Sequence, residues 1–484
     1  MKELAELLKN TPVKALHGDG STPVAGLVYD SRTVKPGDCF FAVRGTQSDG
    51  HDYIPAALAK GAAAVVCERM PDVPAEGVAW VEVEDSAGAM ADMAAAFCDY
   101  PSRELKLVGI TGTNGKTTTV TLLYDLVRAM GYKAGLISTV VYKIDGREVE
   151  ATHTTPDSIR LNAMMREMAD AGCAYCFMEC SSHAIVQERT RGLDFAGGIF
   201  SNITHDHLDY HKTFAEYIRA KKLFFDGLPK GAFALTNADD RNGRVMVQNT
   251  AAAVSAYSLR AMADFRCKIV EMHLDGMLLR IDGQELWVGL LGRFNAYNLL
   301  AVYGAAVLLG LDRGEVLRVL SMLHAVSGRF EKIRAANGTT AIVDYAHTPD
   351  ALENVIQTIE EIRTPGQQLI VVCGCGGDRD RTKRPEMAAI AVKYATTAVF
   401  TSDNPRHESP EAILDDMVAG LEPGARYLRI ADRAEAIRTA VMLSRPGDII
   451  LVAGKGHETY QIVGDVKHPF DDREEIKKRF ALLN

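Results

Sequence analysis

LKLVGITGTNGKTTT, residues Leu105–Thr119, joins an apolar, β-branched run to a Gly-rich turn and a Lys-Thr-Thr helix start. Glycines in the turn let backbone N–H groups point inward, and the helix N-terminus adds partial positive charge. Lys116 suits phosphate oxygens and the Thr117 hydroxyl suits Mg²⁺. Ile110 stands where the strict motif has Gly, so the strand–turn–helix context identifies this variant. An ordinary glycine turn would not require Lys-Thr-Thr. The predicted phosphate-binding residues are Gly112, Thr113, Asn114, Gly115, Lys116, Thr117 and Thr118.

Length and charge predict a multidomain protein away from membranes. A chain of 484 residues corresponds to roughly three domains of about 150 residues. The net charge of −9 argues against nucleic acid or a membrane surface as the main partner. The N-terminal MKELAELLKN lacks the basic and apolar regions of a signal peptide. The longest apolar run, near Ala301–Leu311, is far shorter than the roughly 18 residues that span a bilayer. We therefore expect a cytoplasmic protein.

The nine cysteines do not form a convincing metal or disulfide pattern. Those in AGCAYCFMEC (Cys173, Cys176, Cys180) and VVCGCGG (Cys373, Cys375) fall in segments that read as buried strands. Buried free Cys acts there as a small apolar residue. The spacing is poor for zinc, and a reducing cytosol disfavours disulfides.

Short apolar strands alternate with helical patterns along most of the chain, which predicts an α/β fold with mainly parallel sheets. In the middle region strands end in the phosphate loop, AYCFMEC, GGIFSNI and GAFALTN, and later strands are TAIVDYA, QLIVVCGC, TAVFTSD and DIILVAGKG. Polar clusters follow these strands, where open α/β sheets bind ligands. The predicted domains are residues 1–102, 103–328 and 329–484.

Several of these clusters are suited to an anionic ligand and a metal. Glu179, at a strand end, could hold Mg²⁺ or cap the next helix. His207, in THDHLDYH, is a candidate metal ligand. The alternative is that this polar cluster only faces solvent. Asn295 and Asn298 share a helical face that could read an amide-like or purine-like edge, although Asn295 could be an N-cap. The cations expected to hold phosphates and carboxylates are Lys116, Arg189, Arg329, Arg379 and Arg406.

The whole chain resembles the Mur ligase family. The resemblance rests on TGTNGKTT, TTPDS, ECSSHAIVQER, THDHLDYH, GRFNAYNLLA, SGRFEKI, DYAHTPDAL, GCGGDRD, DNPR and AGKGHETY, in the family's order. It implies an N-terminal UDP-binding α/β domain, a central P-loop-type ATPase and a C-terminal Rossmann-like domain that brings the amino acid. It also implies that ATP phosphorylates the γ-carboxylate of D-Glu in UDP-N-acetylmuramoyl-L-Ala-D-Glu, in peptidoglycan precursor synthesis. An incoming amine then displaces the phosphate. Mg²⁺, as two ions, and a monomeric state are further implications.

The resemblance also implies roles for individual residues. Lys221 matches a lysine that the family carbamylates, although Lys222 stands beside it. Thr46 replaces a His of some relatives beside Gln47. The implied catalytic residues are Lys116, Lys221, Arg329 and His347, and the nucleotide side adds Asn295, Asn298, Arg329 and Asp344. The implied metal ligands are Thr117, Glu179, His207 and carbamylated Lys221. The implied contacts to the UDP-muramoyl-peptide are Ser31, Gln47, Thr154, Thr155, Ser181, Gln187 and Arg189.

The tetrapeptide Asp403–Arg406 has the form found in family members that add meso-diaminopimelate. Arg406 can form two hydrogen bonds to the distal carboxylate, while Asp403 and Asn404 are expected to take the ammonium. An Asn-Pro turn without a binding role is the alternative. The implied diaminopimelate residues are Arg379, Asp403, Asn404, Pro405, Arg406, Gly454 and Glu458.

Three rival functions stay open at this point. The first is addition of L-lysine, whose ligases lack the arginine of the tetrapeptide. The second is folylpolyglutamate synthesis, which the N-terminal DSRTVKPGD segment disfavours. The third is a non-catalytic nucleotide-binding regulator, which would not need Glu179, His207 and Lys221.

Overall fold

The computed structural model describes residues 1–45, 48–204 and 208–483. It has the α/β architecture expected from the sequence, with three successive sheets that are parallel over most of their width. Within these residues no helix combines the length and apolar character that crossing a bilayer requires.

The N-terminal sheet has five strands in the order β2-β7-β6-β5-β4, with β2 antiparallel to β7 and the other pairs parallel. Strands β5 and β6 are buried along their whole length because helices cover the sheet. Helix α3 begins after Asp85, whose carboxylate accepts a hydrogen bond from the Ala87 N–H as an N-cap. The elements are β1 (Lys2–Glu3), α1 (Leu4–Leu7), β2 (Ala15–His17), β3 (Pro23–Val24), β4 (Leu27–Val28), β5 (Cys39–Phe41), α2 (Ile54–Ala59), β6 (Ala64–Cys67), β7 (Ala79–Glu82) and α3 (Ser86–Phe97).

The next elements are β8 (Lys106–Thr111), α4 (Lys116–Ala129), β9 (Ala134–Ile137), β10 (Val141–Ile144), β11 (Arg147–Glu150), α5 (Ser158–Asp170), β12 (Tyr175–Glu179), α6 (Ser182–Val186), β13 (Gly197–Phe200), α7 (Leu208–His211), α8 (Phe214–Asp226), β14 (Phe233–Asn237), α9 (Gly243–Val247), β15 (Ala253–Ser258), β16 (Phe265–His273), β17 (Gly276–Ile281), β18 (Gln284–Val288), α10 (Arg293–Leu308) and α11 (Arg313–Leu320). The strands form one sheet in the order β11-β10-β9-β12-β8-β13-β14-β15-β16-β17-β18. Strands β9 to β16 in that order pair in parallel, and antiparallel hairpins extend both edges. Strand β8 therefore lies inside the sheet, with its carboxyl end between those of β12 and β13.

The C-terminal sheet has the order β19-β20-β24-β21-β22-β23, antiparallel only at β19. Its elements are β19 (Glu331–Arg334), β20 (Thr340–Asp344), α12 (Pro349–Ile362), β21 (Leu369–Cys373), α13 (Lys383–Tyr394), β22 (Thr397–Phe400), α14 (Pro410–Val418), β23 (Tyr427–Arg429), α15 (Arg433–Leu443), β24 (Ile449–Ala453), a β25–β26 hairpin (Tyr460–Val463, Val466–Pro469) and α16 (Asp472–Phe480). Helix α12 begins at Pro349, whose fixed φ suits the first helical position, after Thr348 caps the Ala351 N–H.

One apolar cluster extends from the central sheet into the C-terminal sheet. It includes Val108 and Phe265 on one side and Ile342 and Leu369 on the other. The rings of Phe294 and Phe330 meet at the junction, with centroids 5.9 Å apart. This shared core places the carboxyl ends of both sheets beside one cavity.

All nine cysteines are free. Cys176 and Cys373 lie in strands as predicted, but Cys173, Cys180 and Cys375 lie just outside strands and are buried by flanking turns. Across residues 1–45, 48–204 and 208–483, no group of three or more His, Cys, Asp or Glu side chains is arranged to hold a metal ion.

Candidate active site

The predicted phosphate loop connects β8 to α4 and requires two of its glycines. Gly112 has φ +151° and Gly115 has φ +85°. A Cβ on Gly112 would lie 2.0 Å from the Ser201 Oγ, and one on Gly115 would lie 2.4 Å from the Asn298 Oδ1. Both positions exclude a side chain, so the loop backbone packs directly against neighbouring polar groups.

The residues that follow β13 hold this loop in place. The Thr113 N–H donates to the Asn202 carbonyl (2.8 Å), and the Asn114 N–H donates to the Asn202 Oδ1 (2.9 Å). The Ser201 hydroxyl donates to the Asn114 carbonyl (2.7 Å). Strand β13 neighbours β8, so the sheet itself preorganises the loop.

Two ammonium groups meet at the Gly112 carbonyl. Lys116 Nζ donates to it at 3.0 Å and to the Thr113 carbonyl at 2.8 Å. Lys221 Nζ, from α8, donates to the same Gly112 oxygen at 2.8 Å. Positive charge is therefore concentrated at the loop, which favours an anionic ligand.

The two adjacent lysines of α8 have different surroundings. Lys221 is 1% exposed, lines the cavity, and lies with its Nζ 4.5 Å from the centroid of the Tyr217 ring. Lys222 instead pairs with Asp226 one helical turn away, at 2.6 Å. Only Lys221 is thus directed toward the phosphate loop.

Residues beyond 328 reach the loop from the C-terminal sheet. The Arg329 guanidinium donates to the Thr117 Oγ1 at 3.2 Å and lies 4.6 Å above the Tyr345 ring. Its Nε is buried and has no hydrogen-bond partner among the described residues. Burial raises the pKa of Asp344, and the positive charge of Arg329 partly opposes that shift. His347 Nδ1 lies 2.8 Å from the Tyr345 carbonyl, at the edge of the same group of residues.

Glu179 ends β12, the strand beside the phosphate-loop strand. Its Oε1 accepts a hydrogen bond from the Thr139 N–H (2.8 Å), and its carbonyl accepts one from the Thr155 hydroxyl (2.7 Å). The Thr139 hydroxyl in turn donates to the Thr154 Oγ1 at 3.0 Å. The carboxylate is 1% exposed and lines the same cavity as Thr117. Glu179 does not cap α6, because Ser181 does so through the Ala184 N–H.

These groups surround one cavity of about 490 Å³ at the junction of the two sheets. Its lining includes these predicted site residues: Thr113, Asn114, Gly115, Lys116, Thr117, Thr118, Thr154, Glu179, Ser181, Lys221, Asn298, Arg329, Asp344 and His347. Asn295 does not line it. The Asn295 side chain donates to the Leu291 carbonyl and accepts from Asn298, which orients Asn298.

The predicted muramoyl-peptide residues extend from the cavity toward the N-terminal sheet. Arg189 donates to the Thr155 carbonyl (2.7 Å) and to the Gln187 Oε1 (2.6 Å). Burial raises the pKa of Tyr29, in the N-terminal unit that carries Ser31, and the positive charge of Arg189 partly opposes this shift. Gln47 and His207 lie outside the described residues.

The cavity contains a polar cluster that the sequence analysis did not assign. Asp239 accepts hydrogen bonds from the Tyr297 hydroxyl (2.8 Å) and the Ser258 hydroxyl (2.7 Å). Burial raises the pKa of Asp239, but these and two backbone hydrogen bonds together hold it below its ordinary value. The polar segment TNADD at the end of β14 could have indicated this cluster from the sequence. The contact with Tyr297 could not be predicted, because only the packing of α10 brings the two together. Other unassigned lining residues include Asp240, Arg260, Arg293, Phe294 and Asp350.

The predicted diaminopimelate residues lie at the carboxyl ends of β21, β22 and β24, and together with Lys455 they are here called the amino-acid pocket. It is formed by Arg379, Asp403, Asn404, Pro405, Arg406, Gly454, Lys455 and Glu458. Gly454 has φ +116°, and a Cβ there would lie 2.5 Å from the Asp403 Oδ2. A Cβ on Gly376 would lie 3.0 Å from the Arg406 Nη1 and 3.7 Å from the Arg379 Cγ. The structure therefore brings the two arginines together across a glycine.

Asn404 presents an amide N–H to a ligand, whereas the sequence predicted a side chain that accepts a hydrogen bond from an ammonium. Its Oδ1 accepts from Lys455 Nζ (3.2 Å) and from the Ile462 N–H (2.9 Å). Its Nδ2 donates to the Glu458 Oε2 at 2.8 Å. The oxygen is already paired with two donors, so Asn404 has an amide N–H left for a ligand rather than an acceptor for an ammonium.

Comparison with known proteins agrees with this architecture. Three family models match: "Mur ligase family, catalytic domain" over residues 23–98, "Mur ligase middle domain" over 110–306, and "Mur ligase, glutamate ligase domain" over 328–456. A protein of Bacteroides thetaiotaomicron named UDP-N-acetylmuramoyl-L-alanyl-D-glutamate--2,6-diaminopimelate ligase is 54% identical over 99% of both chains. The chain belongs to the Mur ligase family. Its resemblance to that family is thereby confirmed.

Solved structures extend the comparison to the Mur ligase fold. A structure titled as UDP-N-acetylmuramoyl-L-alanyl-D-glutamate--2,6-diaminopimelate ligase is 32% identical, with a TM-score of 0.71, over 100% of this chain and 99% of that one. A folylpolyglutamate synthase of Mycobacterium tuberculosis, titled as complexed with ADP and AMPPCP, is 18% identical with a TM-score of 0.62. The match covers 91% of that protein but only 75% of this chain. A quarter of this Mur ligase chain thus has no counterpart in that protein.

Proposed function

We propose that this chain is an ATP-dependent ligase that adds meso-diaminopimelate to the D-Glu γ-carboxylate of UDP-N-acetylmuramoyl-L-Ala-D-Glu, as part of peptidoglycan precursor synthesis. The observation that carries the proposal is the pairing of two sites. Residues that follow β20 line the cationic cavity, and the residues that follow β21, β22 and β24 include two arginines and two carboxylates, which suit a zwitterionic amino-acid end. The full-length similarity to a protein named for this reaction supports the same substrates.

The reaction proceeds in two balanced steps. A γ-carboxylate oxygen of D-Glu attacks the terminal phosphorus of ATP, giving an acyl phosphate and ADP. The amine of diaminopimelate then attacks the acyl carbon, the phosphate leaves with the bonding electron pair, and the amine loses a proton. Lys116 and Arg329 bind the phosphates and offset the negative charge that gathers during transfer. Asn298 and the Asp239–Tyr297 pair bind the remainder of the nucleotide.

The donor set fits Mg²⁺, which prefers oxygen ligands and retains several waters. The Thr117 hydroxyl and the Glu179 carboxylate line the cavity and would hold one ion. Carbamylation would replace the ammonium of Lys221 with a negatively charged carbamate, whose oxygens, with His207 beyond the described residues, would serve a second ion. When bound, the metal supplies charge neutralisation of the phosphate oxygens.

The three units take separate substrates in this proposal. Residues 1–102 bind the UDP end through Ser31 and Gln47, residues 103–328 bind ATP, and residues 329–484 bind the amino acid. The muramoyl-peptide spans the first two units along Thr154, Thr155, Ser181, Gln187 and Arg189. We place the enzyme in the cytoplasm as a monomer, which cell fractionation and light scattering can test.

The deciding experiment is the mass of the product. The chain is incubated with ATP, Mg²⁺, UDP-N-acetylmuramoyl-L-Ala-D-Glu and a mixture of diaminopimelate, L-lysine and L-glutamate. We expect one product, larger than the dipeptide substrate by diaminopimelate minus water, with one ADP per amide. A lysine adduct would identify the lysine-adding relative, and a failure to form ADP with every mixture would support a non-catalytic nucleotide-binding protein. Amide formation on a folate with glutamate would support folylpolyglutamate synthesis.

A further inference from the structure

Lys455 is a buried cation that takes no part in the proposed reaction. It follows Gly454 at the end of β24, and its side chain is completely buried. Lys455 Nζ donates to the Asn404 Oδ1 at 3.2 Å and pairs with the Glu458 Oε2 at 3.0 Å. The Tyr460 ring lies beyond, with its centroid 5.6 Å from the ammonium. A buried lysine is costly to place unless its charge is used by its neighbours.

Lys455 is one of three groups that together define which way the Asn404 amide faces. An ammonium and a backbone N–H are both donors only, so the atom that receives them must be the amide oxygen. The amide nitrogen is therefore turned toward Glu458, and its second N–H remains available. Without Lys455 the amide oxygen would keep only the Ile462 N–H as a donor, and Glu458, which holds the amide nitrogen, would lose the ammonium that pairs with it.

The same lysine sets the charge of the amino-acid pocket. Asp403 and Glu458 contribute two negative charges, and Arg379 and Arg406 contribute two positive charges. Lys455 makes the total positive by one. A ligand end that carries both a carboxylate and an ammonium is neutral and suits this pocket, whereas an ammonium alone adds to the excess of positive charge.

We propose that Lys455 is a specificity-determining positioning residue, which fixes Asn404 as a hydrogen-bond donor and disfavours amino acids whose distal end is only an ammonium. The proposal rests on the proposed function, because it concerns the same amino-acid pocket. Lys455 acts through Asn404 and Glu458 and does not touch the substrate.

The test compares two substrates in the full-length enzyme. The ratio of kcat/KM for meso-diaminopimelate to kcat/KM for L-lysine is measured for wild type, Lys455→Met and Lys455→Arg, with ADP release as the readout. This ratio does not depend on the fraction of enzyme that is folded, since both substrates see the same preparation. We expect Lys455→Met to lower the ratio about tenfold or more, and Lys455→Arg to recover part of it. The KM for ATP should change less than twofold in both variants.

Two control variants separate positioning from general destabilisation. Ile437→Ala removes a buried side chain from α15 in the same unit, and Lys393→Met removes an exposed lysine of α13. Both should keep the wild-type substrate ratio, even where Ile437→Ala lowers the melting temperature. A ratio in Lys455→Met within twofold of wild type would overturn the proposal.

A second variant tests the amide directly. Asn404→Asp keeps an acceptor for Lys455 but replaces the amide donor with another acceptor, so it should shift preference toward L-lysine. An unchanged preference would also contradict the proposal, even if Lys455→Met did not fold. The proposed function fails differently, since in that case wild-type enzyme would not release ADP with diaminopimelate at all.

Discussion

The phosphate cavity and the amino-acid pocket are assembled in different ways. The cavity combines Lys116 and Lys221 of the central sheet with Arg329 and His347 from beyond it, so its geometry depends on how two sheets dock. The amino-acid pocket takes its residues from one sheet, between positions 379 and 458. Nucleotide chemistry should therefore respond to changes at the junction, while amino-acid selection should not.

The two regions also differ in what their polar groups do before a ligand arrives. In the cavity, Lys116 donates to two loop carbonyls that a phosphate oxygen can replace as acceptor. In the amino-acid pocket, Asn404, Lys455 and Glu458 are hydrogen-bonded to one another and form a preset pattern. We therefore expect the cavity to exchange hydrogen-bond acceptors when a phosphate binds, and the amino-acid pocket to keep its own hydrogen bonds.

The largest expected effect comes from removing the loop lysine. Lys116→Met should lower ADP formation about a thousandfold, because a cation that offsets transition-state charge is lost. Binding of diaminopimelate, measured by calorimetry, should remain within twofold of wild type. Lys106→Met, at the opposite end of β8, is the control and should keep wild-type activity. ADP formation within tenfold of wild type in Lys116→Met would contradict the assignment of this loop to ATP.

A smaller effect, on the use of diaminopimelate and not on that of ATP, is expected in the amino-acid pocket. Arg406→Ala should raise the KM for diaminopimelate about a hundredfold, because a charge-assisted contact to a carboxylate is lost. The KM for ATP should stay within twofold of wild type, as steady-state kinetics can determine. Arg381→Ala, which removes a nearby exposed partner of Glu408, should leave both constants near wild type. Equal rises in both constants for Arg406→Ala would show that the residue is structural.

Asp350 connects the C-terminal sheet to the phosphate loop, and its removal tests the contact between the two. This residue of α12 accepts hydrogen bonds from the Asn114 side chain of the phosphate loop (2.8 Å) and from the Thr204 hydroxyl (3.3 Å). Asp350→Ala should lower kcat about tenfold by loosening the loop against the C-terminal sheet, with the KM for diaminopimelate unchanged. Asp350→Asn keeps an acceptor and should recover activity, and Glu353→Ala, in the same helix, should have no effect. A rise in the KM for diaminopimelate with normal kcat would contradict the separation of the two regions.

The smallest effect concerns His457, which lies between the two regions beside Tyr345. Burial, reinforced by the charges of Arg329 and Arg473, lowers the pKa of His457 from 6.5 to about 3. Below pH 6.5 the unfolded chain binds a proton at this site that the native protein does not bind until about pH 3. Stability is therefore lost as pH falls through this range, by about 2 kcal/mol at pH 5.

His457→Gln removes this titration. Its melting temperature should fall less than that of wild type between pH 7 and pH 5, as differential scanning calorimetry can measure. His468→Gln, on the exposed β25–β26 hairpin, is the control and should follow wild type. If the melting temperatures of wild type and His457→Gln fell in parallel between pH 7 and pH 5, His457 would not be a buried neutral histidine.

Much of the fold and part of the site could be predicted because the relevant signals are contiguous. The run before Gly112 predicts a buried strand, and the turn after it predicts a phosphate loop, since both depend on local backbone chemistry. The tetrapeptide at Asp403 predicts an amino-acid pocket only through its resemblance to family members, because by itself it could be an Asn-Pro turn. The donor role of Asn404 could not be predicted, because Lys455, 51 positions away, orients its amide. Nor could Tyr297 be assigned to Asp239, since helix packing alone joins them.

Local order in this chain, from the alternation of strands and helices to the glycines around Lys116, follows from side-chain size, polarity and backbone freedom over a few neighbouring residues. The joint cavity, the contact between Asp350 and Asn114, and the polarity of the amino-acid pocket depend on residues far apart in the chain. Sheet order and the shared apolar core bring those residues together, and burial then makes each pairing energetically significant. Contacts between residues far apart in the chain produce no periodic pattern, so a single sequence does not reveal them.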